Sequence, residues 1–274
     1  MKKTTSPLGQ AALFVGLTYL VSIPFYLQMI FRGGLVPNMH LLIFFVWIPG
    51  VVAMACSKYF GHRIKDAGFR RADGRAMTTA YAMPALCAVA SYVLILAFRI
   101  GVFGMTVEGG GERGWGEHVL KGVLTPAVLG VLVAFVFSLG EEIGWRGFLF
   151  ERFKEAGVRR PGLATGLIWS AWHWPAIVFS DYSSSDKPLL SAFLFTVSLT
   201  SLSVFLHRQR AQTNSLWPAV LSHSVHNMWV LMVVPALLVA GPLGPYFIGE
   251  SGVILAAVYF VTAIYFARKP LRAG

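Results

Sequence analysis

The sequence predicts an all-α membrane protein, a bundle of about eight transmembrane helices with a polar cavity open to the cytoplasmic side. Three observations carry this prediction. Hydrophobic residues make up 56% of the chain and charged ones only 13%, about half the charged share of a soluble domain. Eight apolar runs each approach the roughly 20 residues that a helix needs to cross the hydrocarbon. The basic residues gather in the short loops of one side. The mean hydropathy, +0.64, agrees.

The first run, 11–31, follows the basic start MKKTTSPLGQ of a signal peptide. Its length exceeds the roughly 7–15 residues of a signal core and no A-x-A site follows, so it reads as an uncleaved span. Runs 40–60 and 76–98 hold the two cysteines, Cys56 and Cys87. With no CxxC partner, these read as small buried hydrophobes rather than a disulfide, metal site or nucleophile. The stretch GVFGMTVEGGGERGWGEH that follows is glycine-rich. It lacks the GK[ST] of a phosphate loop and no strand precedes it, so a flexible connector is expected.

The fourth run, 119–143, extends through Phe150 if the largely apolar IGWRGFLF continues it. Runs 162–180, 188–207, 214–236 and 246–267 complete the eight. Pro24, Pro49, Pro84, Pro126, Pro175 and Pro218 fall inside runs, where membrane helices tolerate them as kinks. No repeat or linker divides the chain, so 1–274 is expected to be one integral membrane domain.

With the N-terminus inside, 18 of the 23 Lys and Arg residues fall on the cytoplasmic loops and tails. Only Arg32, Arg99, Arg113, Lys121 and Lys187 lie opposite. Both termini are therefore predicted to be cytoplasmic. The net charge of +11 does not point to nucleic acid, because no basic patch with interleaved aromatics occurs.

The fourth run ends in Glu141 and Glu142, with Arg146 beyond them. Ionisable groups at membrane depth cost roughly 2.5–3.5 kcal/mol each on insertion scales, so they mark function. Glu142 and Arg146 are i,i+4 and can pair, which leaves Glu141 without an intrahelical cation. Trp169 and His173 share a face of the fifth run, and His223 and Asn227 share one of the seventh. His226 falls on another face and reads as a packing residue or one that supports the site from behind. At 1.5 Å per residue, His173 lies roughly 15–18 Å and His223 roughly 13–15 Å from the cytoplasmic ends of their spans. Glu141 approaches the same depth if the fourth span continues.

These groups suit hydrolysis of an amide. Glu141 with neutral His173 can hold and deprotonate a water, while His223 and Asn227 polarise the carbonyl and bind the oxyanion. A zinc site, with Glu141, His173 and His223 as ligands, is the rival use of the same groups. HExxH is absent from the sequence, as is the GxSxG elbow that Ser222 or Ser224 would need beside His223.

The three motifs, Glu141-Glu142-x-x-x-Arg146, aromatic-x-x-x-His173 and His223-x-x-x-Asn227 in the setting SLWPAVLSHSVHN, resemble the CAAX-protease and bacteriocin-processing family. That family is also called the type II CAAX prenyl endopeptidase or Abi family of intramembrane proteases. The resemblance covers about 119–236, which it marks as the catalytic core. It implies eight transmembrane helices and a glutamate-dependent protease that needs no cofactor. By motif, Glu141 would be the general base, His173 its partner on the water, and His223 and Asn227 the oxyanion site. Glu142 and Arg146 would support Glu141, and Trp169, where the usual motif has Phe, would line the cavity. The implied partners are a peptide or protein substrate, prenylated or not, and the lipid bilayer.

A non-enzymatic immunity or transport protein is the reading from a different class, with the Glu/His cluster as a binding or proton site. The chain shows no matching pair of broken spans such as inverted halves provide.

Overall fold

The computed structural model describes residues 5–32, 34, 36–104, 115–182 and 185–268. The glycine-rich connector expected after the third run lies largely outside them. Within them the chain is a helical bundle: α1 Pro7–Phe31, α2 Leu42–Phe60, α3 Gly74–Ala97, α4 Trp115–Glu155, α5 Pro161–Phe179, α6 Pro188–Thr213, α7 Trp217–Ala236, the short α8 Gly244–Phe247 and α9 Val253–Arg268. Each of the eight apolar runs holds a helix, the last only from Val253, because residues 248–252 form a turn ahead of it. Six of these helices are long and apolar enough to cross a membrane, α2 counted with the 3-10 turn before it. The other two, α5 and α9, fall short for different reasons. The first is diluted by Thr165, Ser170 and His173, and the second has only 16 residues.

Local chemistry sets the helix ends. Ser6 caps α1 by accepting from the Gly9 N–H, with Pro7 in the first turn. Asp73 caps α3 by accepting from the Ala76 N–H at 2.7 Å. Gly61, at φ 79°, ends α2 in the left-handed conformation that glycine adopts without strain.

Packing centres on α4, α6 and α7. In the contact pattern α4 lies against α2 and α7, α5 against α6, α9 against α6 and α3, and α3 against α7. The approach of α2 to α4 is close: a Cβ on Gly140 would meet the Trp47 backbone and ring within 2.7–2.9 Å. Small residues let membrane helices come this near. Away from the helices, β1 Gly101–Phe103 pairs antiparallel with β2 Leu238–Ala240, which ties the ends of α3 and α7 together.

Candidate functional site

The acid pair lies inside α4, as expected if the fourth run continued. That helix is 41 residues long. Immediately after Glu142 its backbone passes into a π-helical stretch, Ile143–Leu149, in which every residue is buried. A π-helical turn shifts the angular position of the side chains that follow it, a feature frequent at functional sites.

Glu142 and Arg146 form the ion pair that their spacing allows, Arg146 Nη1 donating to Glu142 Oε1 at 2.8 Å. Both side chains are withdrawn from solvent. From α7, His223 Nδ1–H donates to the same Oε1 at 3.0 Å. Glu142 thus has two nitrogen partners. Glu141 has neither of them: its Oε2 accepts from the Trp169 indole N–H at 2.6 Å.

The tautomers follow from the partners. His173 Nδ1 lies 3.0 Å from the Trp169 carbonyl, which can only accept. His223 Nδ1 faces a carboxylate, which also accepts. Each neutral ring therefore carries its proton on Nδ1 and its lone pair on Nε2. Glu141 and His223 are buried, while His173 and Asn227 are half-buried.

Neighbouring helices hold this arrangement. Tyr19 of α1 donates to the Ile168 carbonyl at 2.7 Å, and Trp172 donates to Ser22 at 2.8 Å, fixing α5 on either side of Trp169. Phe45 of α2 stacks on Trp172 with ring centroids 4.3 Å apart. On α7, Ser222 donates to the Ala80 carbonyl and Ser224 to the Val220 carbonyl. Neither hydroxyl donates to His223, which leaves the serine alternative without its defining bond.

A second polar chain was not read from the sequence. Tyr259 of α9 pairs with His226 Nδ1 at 2.8 Å, and His226 Nε2 with Glu250 Oε1 at 3.0 Å. Tyr182 donates to Glu250 Oε2 at 3.1 Å, and its ring lies 6.2 Å from that of His173. Glu250, an acid at the head of an apolar run, was the signal that could have found it.

Among the described residues no group of three or more His, Cys, Asp or Glu side chains comes close enough to hold a metal ion. The comparison with curated proteins finds no match to the chain. Residues 123–229, the segment that carries Glu141, Trp169, His173, His223 and Asn227, match the family described as Type II CAAX prenyl endopeptidase Rce1-like.

Proposed function

We propose that the protein is an intramembrane endopeptidase that hydrolyses a peptide bond near the cytoplasmic leaflet, C-terminal to a prenylated Cys, with water activated by Glu141. The observation that carries this reading is the unequal bonding of the two acids. Glu142 takes Arg146 and His223 on Oε1, its Oε2 being buried without a partner, while Glu141 takes only the neutral Trp169 N–H and has no cation or imidazole bonded to it. The family match to residues 123–229 supports the reaction class, and the 18 to 5 division of basic residues supports the orientation.

Glu141 removes a proton from water, and the resulting hydroxide bonds to the scissile carbonyl carbon. Neutral His173, its Nδ1–H held by the Trp169 carbonyl, presents Nε2 to a hydrogen of that water. His223 and the Asn227 amide serve the developing oxyanion, His223 donating from Nε2 when both of its ring nitrogens carry protons. Collapse of the tetrahedral intermediate breaks the C–N bond, and the proton held by Glu141 passes to the leaving amine.

The second reading is a zinc-dependent version of the same protease. It is favoured by the tautomers, because both Nε2 lone pairs are directed away from the Nδ1 anchors, as metal-bound histidines require. The separation of the side chains disfavours it.

The test is cleavage of a quenched fluorescent peptide ending in a farnesylated CAAX box by the protein in liposomes. Unprenylated and membrane-protein substrates run alongside, with Glu141→Ala and a zinc chelator as further arms. The expected result is prenyl-dependent cleavage, lost in Glu141→Ala by roughly 10²–10⁴-fold and unaffected by the chelator. Cleavage that survives Glu141→Ala would overturn the assignment. Loss on chelation, restored by zinc, would replace it with the metal version.

A further inference from the structure

Trp169 touches four of the five ionisable members of the site, Glu141, Arg146, His223 and His173. Its indole N–H donates to Glu141 Oε2 at 2.6 Å, with both side chains buried. The guanidinium carbon of Arg146 lies 4.3 Å from its ring centroid. The His223 ring meets it edge-to-face at 4.9 Å. Its backbone carbonyl accepts from His173 Nδ1 at 3.0 Å.

The polarity of this arrangement is ordered. An indole presents a negative face and a positive edge, and its N–H can donate but never accept. Here the face receives the Arg146 cation and the N–H edge receives the Glu141 anion. The ring binds both groups, and the guanidinium donates to Glu142 with Nη1 while its Nε and Nη2 remain without a hydrogen-bond partner. A buried arginine with two spare donors has every reason to bridge two adjacent carboxylates, yet it serves only one.

We propose that Trp169 is the positioning residue that makes the two acids unequal. Its ring keeps Arg146 on Glu142, and its N–H fixes Glu141 Oε2 so that Oε1 is the oxygen that meets water. This rests on the reading of Glu141 as the base. Because an indole N–H is a donor only and does not ionise in proteins, Trp169 takes no part in the proton transfers. It acts through Glu141 and Arg146.

Trp169→Phe keeps an aromatic face for Arg146 and removes the donor edge together with one ring, so the N–H resonance and the split of kcat from KM separate this role from packing. In the full chain in detergent micelles, labelled with ¹⁵N-indole tryptophan, the Trp169 N–H resonance is identified by its loss in Trp169→Phe. It is expected to sit downfield as a charge-assisted donor, to move upfield in Glu141→Gln and to stay in place in Glu142→Gln. With the farnesylated peptide, Trp169→Phe is expected to lower kcat by about 10- to 100-fold, as loss of a bond to a charged group does, with KM unchanged.

A resonance indifferent to Glu141→Gln, or a full kcat in Trp169→Phe, would overturn the proposal while the protease reading stands. A rise in KM with kcat intact would assign Trp169 to substrate packing instead and overturn it equally. Absence of cleavage by the wild-type chain, with the resonance behaving as expected, would sink the protease reading and leave only the bond.

Discussion

Arg146 and Arg210 are equally withdrawn from solvent, each 1% exposed, and they are bonded in opposite ways. Arg210 of α6 uses every nitrogen: Nε donates to the Arg146 carbonyl, Nη1 to Asn214, and Nη2 to Glu151 and the Asp66 carbonyl. It staples α6 to α4 and to the loop after α2. The loop leaves room for it only because residue 68 is glycine, at φ 99°, where a Cβ would come within 2.7–2.9 Å of the guanidinium. Arg146 has one hydrogen-bonding nitrogen, on Glu142, and a tryptophan face. The difference teaches how to tell a structural ion cluster from one held for chemistry. The first saturates its donors, and the second keeps valences open beside unequal partners.

Substitution of each arginine by methionine tests that contrast most strongly. Arg146→Met leaves the fully buried Glu142 with His223 alone and is expected to cost about 3–5 kcal/mol. Arg210→Met releases Glu151, which is 19% exposed and can turn to water, at about 2 kcal/mol. Unfolding in mixed micelles reads both. Cleavage per folded molecule should fall only in Arg146→Met; equal loss in Arg210→Met would break the comparison.

Gly140→Ala probes the wall behind the acids. The new methyl would strike Trp47 within 2.9 Å, and overpacking of this kind costs about 1–3 kcal/mol. A wild-type melting temperature would show that α2 yields.

A separate cluster after α2, in which His62 meets Gln10 and Arg152, is sensitive to pH. Burial, and then the Arg152 guanidinium, hold the His62 imidazole below its ordinary 6.5. The unfolded chain then binds the proton more readily, so stability is full above 6.5 and declines as pH falls toward the folded value. Melting measured between pH 7 and 5 should flatten in His62→Gln; an unchanged slope would remove His62 from the account. Smallest of all is the exposed Arg63–Asp66 pair, 69% and 49% open to solvent. Arg63→Ala should leave the melting temperature at the wild-type value in the same assay.

Much of this was legible in the chain. Apolar run length located eight of the helices, and i,i+4 spacing joined Glu142 to Arg146, because both signals are local. Trp169 was placed beside His173 by the same spacing, but its N–H bond to Glu141 spans 28 positions and has no periodic trace. The π-helical Ile143–Leu149 was equally silent, since its composition is that of any apolar helix. The pairing of β1 with β2 joins segments more than 130 residues apart, and the Glu250 chain draws on two helices and two loops. Tertiary approach decided each of these.

The division of labour between the two acids is the central claim, and a single paired measurement tests it: kcat and unfolding free energy for Glu141→Gln and Glu142→Gln in one preparation with the farnesylated peptide. Glu141→Gln should lose roughly 10²–10⁴-fold in kcat while unfolding like the wild type. Glu142→Gln should lose stability first, because it strips Arg146 of its counter-ion. Full kcat in Glu141→Gln, or equal behaviour of the two variants, would contradict the account.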